Sequence, residues 1–235
     1  MLMNVLKKFL ALFVLSLSLT SVSALAEESE SHDPWEGFNR GVFNFNESLD
    51  RAILKPVAQG YRFIMPDVAE QGVSNFFDNL RDVVTFFNNV LQLKPVEATQ
   101  DLSRVLINTT IGIGGLFDVA TAMDIPKNDE DFGQTLGAWG VESGPYLVLP
   151  LFGPSTVRDG VGIIPDMYLD PLNQVESDEL RYGLKALKVV DKRASLLDRE
   201  GVVTGDRYTF IRDAYLQKRE FEVNDGRVEY NADDF

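Results

Sequence analysis

One stretch constrains the fold more than any other. From Asp131 to Gly162 the chain reads DFGQTLGAWGVESGPYLVLPLFGPSTVRDGVG, with glycine at 133, 137, 140, 144, 153, 160 and 162 and proline at 145, 150 and 154. Glycine supplies positive φ and close backbone approach, and proline withdraws a ladder donor, so this backbone is closely shaped and cannot be the middle of a large sheet. Gly133 to Gly144 punctuate a segment of helix length. Pro145 then starts the apolar run Tyr146 to Leu149, of strand length, and Pro150, Gly153 and Pro154 break it. The expectation is a glycine-hinged apolar hairpin, with a tight core crossing as the plainer alternative. Gly140 and Gly144 are its candidate hinge, Tyr146, Leu147 and Leu149 its candidate moving run, and Arg158 and Asp159 a candidate anchor for its base.

The chain opens with a basic pair, Lys7 and Lys8, an apolar run from Phe9 to Leu19 and a small-residue site at Ala24-Leu25-Ala26. These are the parts of a cleaved export signal, residues 1–26, and the run is short of the roughly 20 apolar residues that a spanning helix needs. Loss of the two lysines takes the formal net charge from −14 to −16, which argues against nucleic acid and against whole-molecule adsorption to anionic lipid. The chain has no cysteine, which removes disulfides, thiol catalysis and cysteine-held metals. His32 is its single histidine, lying just before the first helix, so serine–histidine triads and histidine metal clusters are nearly excluded. No catalytic residue, metal ligand or cofactor motif is therefore assigned.

Helices dominate what remains. Asp33 as N-cap, Pro34 in the first turn and Glu36 three residues on read as a helix start. Trp35, Phe38, Val42, Phe45, Leu49 and Ile53 follow at spacings of three and four, with Arg40, Asn44, Glu47 and Arg51 on the other side. Such a stripe is either core or a face that borders lipid. Lys55-Pro56, Met65-Pro66 and Lys94-Pro95 are read as breaks that leave short, phenylalanine-rich amphipathic helices suited to the plane of a membrane interface.

Ile111 to Gly115 lacks the third glycine of a dinucleotide fingerprint and follows a helical rather than a strand pattern, so it is read as a bend for close helix packing. Asp124 to Asp131 lacks the spacing of a calcium loop and is read as a solvated acidic loop. From Ser177 to about Leu197 a long helix carries Lys185, Lys188, Lys192 and Arg193, a candidate positive patch in an acidic chain. A last helix runs to about Phe221, and residues 222–235 are an acidic tail of disordered composition. The fold expected is a single mainly α domain over residues 27–221 with at most one short hairpin.

DFGQTLGAWGV and GPYLVLPLFGPST, with DPWEGFNR, YRFIMPD, GVSNFFDNL and INTTIGIGGLFDVA before them, resemble in their order the MlaA (VacJ) family of outer-membrane phospholipid transport proteins, over about Asp33 to Glu220. The resemblance implies a ring-like domain of short amphipathic helices in the periplasmic leaflet of the outer membrane, around a polar channel. It implies removal of phospholipid mislocalised to the outer leaflet, association with a trimeric porin, delivery to a periplasmic lipid carrier of the MlaC kind, and no bond made or broken. Phe38, Val42, Asn44, Phe45 and Glu47 are then the candidate helix between lipid and channel. Many members carry a lipidated cysteine after the leader; this sequence has none, so attachment to the periplasmic side of the outer membrane is expected without it. Two other classes stay open: a soluble periplasmic lipid- or peptide-binding module with a closed apolar pocket, and a carboxylate-pair hydrolase.

Overall fold

The computed structural model describes residues 33–202 and 205–227, so the leader, His32 and residues 228–235 lie outside the described residues. Helix α1 (Glu36–Leu49) passes into a π-helical turn (Asp50–Leu54) and on into α2 (Lys55–Ile64). The expected break at Pro56 does not occur. Proline lacks an N–H and its ring crowds the carbonyl four residues back, and the chain meets both demands by widening one turn instead of ending the helix. Met65 does end it, with ψ at 129° before Pro66. The chain then runs through α3 (Asp67–Leu91), α4 (Pro95–Thr110), the single turn α5 (Val119–Ala122) and α6 (Phe132–Ala138). A two-stranded hairpin follows, β1 (Tyr146–Leu149) antiparallel to β2 (Gly153–Thr156), with Tyr146 opposite Thr156 and Leu149 opposite Gly153. Helix α7 (Val157–Leu169), a 3₁₀ turn (Pro171–Gln174), α8 (Asp178–Ala194), a second 3₁₀ turn (Leu197–Val202) and α9 (Arg207–Val223) complete it. Helix α7 runs through Pro165, and α9 ends at Val223, close to the expected end near Phe221.

Neighbouring elements form a closed circuit. Helix α1 lies on β1, β2 on α9, α9 on α6, α6 on α3, α3 on α8 and α8 on α2, which the π turn joins back to α1. The domain is mainly α and ring-like, with α4 packed on α3 and α5 on α4, neither being part of the circuit.

Its polarity is inverted. Among the described residues ten hydrophobic side chains are buried, four of them alanines, against nineteen polar or charged ones, while thirty-four large hydrophobics are exposed. Apolar residues normally fill an interior and charged ones almost never do unless paired. The α3–α4 hairpin shows how this is achieved. Asn79, Asp82, Thr85 and Asn89 recur at spacings of three and four on α3 and meet Asp101, Arg104 and Asn108 on α4, all buried. Arg104 donates from Nε to Asp82 (3.1 Å), and from its Nη atoms to Asp118 (3.0 Å), Thr121 (3.0 Å) and the Ile125 carbonyl (2.9 Å). Asn89 donates to Asp101 at 2.7 Å and Asn79 to Thr109 at 3.0 Å. Meanwhile Phe87, Val90 and Leu91 of α3 and Val96, Leu102 and Leu106 of α4 face out. Gly112 to Gly115 turns the chain at the end of α4, and at Gly115 (φ +90°) a Cβ would stand 2.8 Å from Asn79.

Candidate functional site

The hairpin is fastened along its free edge by two asparagines of α1. Asn39 donates from Nδ2 to the Tyr146 carbonyl (3.0 Å) and accepts at Oδ1 from the Val148 N–H (2.9 Å). Seven residues on, Asn46 donates to the Leu149 carbonyl (3.0 Å) and accepts from the Leu151 N–H (2.9 Å). Two amides one heptad apart thus stand in for a third strand, which a helix can do because residues seven apart share a face. Below them lies the small apolar core: Tyr146, Val148 and Tyr208 are buried, with Val42, Phe43, Tyr215 and Leu216 against them. Asp33 does not cap α1, whose N-cap is Trp35. Its buried carboxylate instead accepts from Asn39 (2.7 Å) and from the Tyr208 hydroxyl, which ties the start of the chain to α9.

At the base of the hairpin a charge network joins α6, α7 and α9. Arg219 donates bidentately to Asp131 (2.7 and 2.8 Å) and to Asp159 (both 3.0 Å). Asp159 also accepts from Tyr215 (2.8 Å) and from Arg158 Nε (3.0 Å). Burial opposes the charge on Asp159, but these donors hold its pKa at about 2, and burial together with Asp159 pushes the Tyr215 hydroxyl well up. Glycine makes the approach possible. A Cβ on Gly162 would stand 2.6 Å from the Gly133 nitrogen, so α6 and α7 meet backbone to backbone. Beside the network opens a cavity of about 230 Å³ lined by Asp131, Asp159, Asp166, Tyr215, Lys218 and Glu222 among others. Asp166 accepts from the Phe132 N–H (3.0 Å) and from Asn88 (3.0 Å), and burial raises its pKa.

The residues singled out from sequence fall into three places. Phe38 and Phe45 are exposed, Val42 packs on the hairpin core, Asn44 is exposed, and Glu47 pairs with Arg207 at 3.2 Å. The sequence stripe from Trp35 to Ile53 is therefore mostly the outer face of α1, and its inner face is the polar one carrying Asn39 and Asn46. Gly140 (φ +87°) and Gly144 (φ +65°) are the corners of the connection from α6 to β1. The run they lead into is bonded on both edges, with Tyr146 and Val148 buried and Leu147 and Leu149 half-buried, so a hinge motion of the run would have to break its bonds to Asn39 and Asn46 or carry β2 and α1 with it. The positive patch is dispersed: Lys188 bonds Asp170 (3.1 Å), Arg193 bonds Asp50 (2.6 Å) and Glu200, and neither Lys185 nor Lys192 has a described carboxylate partner. The acidic loop is not simply solvated, since Asp129 pairs with Arg81 (2.6 Å), Glu130 is buried on Gln92 and Lys94, and Asp131 holds Arg219.

Exposed apolar side chains crowd element ends: Phe63, Ile64 and Val68 around the α2–α3 junction, Leu93 after α3, Ile111 and Ile113 after α4, and Leu151 and Phe152 at the hairpin tip. Among the described residues no helix is long and apolar enough to cross a membrane. An apolar exterior of this extent, around a polar interior, has few precedents in a free monomer.

The family model for MlaA lipoprotein matches residues 31–222. This chain belongs to the MlaA family. The intermembrane phospholipid transport system lipoprotein MlaA of Escherichia coli K12 is 37% identical over 213 residues, covering 88% of this chain and 84% of that protein. An uncharacterized protein of Rickettsia conorii is 39% identical over 198 residues, covering 83% of this chain and 79% of that one. A solved structure from work on the structural basis for maintenance of bacterial outer membrane lipid asymmetry superposes with a TM-score of 0.72 at 36% identity, covering 82% of this chain and 99% of that one. On this MlaA-family scaffold the Asn39 and Asn46 fastening, the Asp33–Tyr208 tie and the α3–α4 polar seam are the features that residue-by-residue reading of the sequence did not single out. Their trace was there: asparagines at helical spacing inside helices, where the residue type is otherwise disfavoured.

Proposed function

We propose that this protein works in intermembrane phospholipid transport, seated in the periplasmic leaflet of the outer membrane and passing mislocalised phospholipid from the outer leaflet toward the periplasm. The observation that carries the reading is the inverted polarity. Apolar helix faces and hairpin tip match the acyl chains, the buried polar groups are kept paired away from hydrocarbon, and the ring is the proposed route for a headgroup. The lipid does not need to be altered on the way, so the reading assigns no catalysis. A trimeric outer-membrane porin and an MlaC-like periplasmic carrier are the proposed partners. The sequence has no cysteine, and the apolar exterior is the proposed means of attachment.

Both alternatives fit less well. A closed apolar pocket is what a soluble carrier needs, and the cavity at the hairpin base is lined by carboxylates, Lys218 and Arg219. A carboxylate-pair hydrolase needs one free carboxyl that keeps its proton, whereas Asp131 and Asp159 both have lowered pKa values on Arg219, and Asp166, raised by burial, is taken up as an acceptor by the Phe132 N–H and Asn88. The test is fractionation of cells expressing the full chain, followed by mass spectrometry of what copurifies. Recovery with outer membranes after a high-salt wash, with phospholipid and a porin bound, is expected. Recovery wholly in the soluble periplasm would overturn the reading.

A further inference from the structure

The outer face of α8 combines features that the rest of the acidic surface keeps apart. Tyr182 and Val189 are exposed and seven residues apart, and Leu196 continues their line just past the helix end. Lys185 and Lys192 lie three residues after Tyr182 and Val189, and so flank that apolar line on the same face. Lys192 is exposed and Lys185 half-buried, and no described carboxylate lies within salt-bridge distance of either, although Lys188 and Arg193 of the same helix are paired. From Tyr182 to Leu196 the one acidic residue is Asp191, which is buried and turned inward to accept from Ser74 (2.9 Å) and Tyr61 (3.2 Å). In a chain of 36 acidic and 22 basic residues, this face carries no exposed carboxylate from Tyr182 to Leu196, and Asp178 at its N-terminal end is paired with Arg181.

We infer that the α8 outer face is a docking surface for anionic phospholipid headgroups at the membrane interface. The inference rests on the proposed seat in the leaflet and adds a lipid preference to it. An aromatic ring and two aliphatic side chains enter the acyl boundary while the lysine stems lie along them and lift the ammonium groups to the phosphates. The charge complementarity is local, which reconciles it with a net charge of −16 after loss of the leader: Lys185 and Lys192 are the cations that meet the headgroups, and charges more than a Debye length of about 8 Å away are largely screened. Each lysine at such a surface contributes about 1 kcal/mol, so the pair supplies an anionic preference of about 30-fold.

The test uses the detergent-purified full chain, diluted into vesicles of phosphatidylcholine alone or with phosphatidylglycerol and read by flotation. The wild type is expected to float with both, and about 30-fold more strongly with the anionic vesicles at low salt. Lys185→Gln with Lys192→Gln should float with phosphatidylcholine as the wild type does and lose most of the anionic gain. Lys127→Gln with Arg227→Gln removes the same charge elsewhere and should keep that gain. Circular dichroism melts confirm that all three fold alike. Equal anionic gain in the α8 variant, or equal loss in the control pair, overturns the inference and leaves the membrane seat standing. Failure of the wild type to float with either vesicle overturns both.

Discussion

Replacing Arg104 by leucine tests the polar seam directly. Its guanidinium is 1% exposed and reaches four acceptors, and Asp82, also 1% exposed, has no other donor. Arg104→Leu leaves a carboxylate buried and unpaired, a change that costs about 3 to 5 kcal/mol. For a domain of this size that lowers the melting temperature by roughly 6 to 20 °C. Asp118 loses Arg104 too, but keeps the Thr121 N–H (3.0 Å), the Thr121 hydroxyl (2.6 Å) and Asn108 (3.0 Å), so its share of the loss is small. The second arm is Asp82→Leu combined with Arg104→Leu. With both charges gone the seam holds no carboxylate orphaned by the loss of Arg104 at position 82, and about 2 kcal/mol or more of the loss should return. Thermal unfolding followed by circular dichroism in detergent micelles measures all three. A single variant within about 1 kcal/mol of wild type, or a double variant no more stable than the single, would refute the pairing of Arg104 with Asp82 as what holds the seam together.

Further outcomes follow from the same geometry. Burial lifts Asp82 to a pKa of about 6 against the opposing pull of Arg104, so its folded state binds the proton more tightly than the unfolded chain does. Its contribution to stability therefore declines as pH rises from about 4 to about 6, and Asp82→Asn should flatten that slope in pH-dependent melts. Asp118 and Asp159, both near 2, have the opposite sign: their stabilisation is complete above about pH 4 and is lost as pH falls toward 2, which acid unfolding measures. Asn46→Ala removes two hydrogen bonds at the hairpin tip, about 1 to 3 kcal/mol locally, and should speed amide exchange at Leu151 at least tenfold; unchanged exchange would show the tip held by other means. Gly140→Ala meets open space and only a positive φ, about 1 to 2 kcal/mol, whereas Gly162→Ala drives a Cβ into the α6 backbone; melts should rank Gly162→Ala the more damaging, and the reverse order would contradict the close crossing.

The sequence made some of this visible and hid the rest for definite reasons. Helical periods showed where the helices lie, and the proline and glycine spacing showed the hairpin, whose residues Tyr146 to Leu149 form β1 as expected. What a period cannot show is which face turns inward. For α1 the apolar stripe Phe38 to Phe45 suited a core, yet Asn39 and Asn46 face in, because the partner is a strand edge that needs donors and acceptors. Proline signals were legible only where the backbone yields: Pro66 ends a helix, while Pro56 and Pro165 are absorbed, one by a π turn and one within α7. The cation cluster on α8 was compositional, and pairing across the ring removed half of it: Asp170 and Asp50 lie 18 and 143 residues away in sequence, beyond any local window.

The tie between Asp33 and Tyr208 spans 175 residues, and with it the first described helix rests on a hairpin and a helix from the far end of the chain. Ring closure therefore needs both ends of the described chain, and on the proposed export from the N-terminus it is the last step available. Until α9 has emerged, α1 has no Tyr208 to seat Asp33, β2 has no helix beneath it, and the arc presents its asparagine edges and aromatic faces together. A product truncated before Arg207 lacks both Tyr208 and the helix under β2, so it leaves those faces uncovered instead of closing a smaller ring.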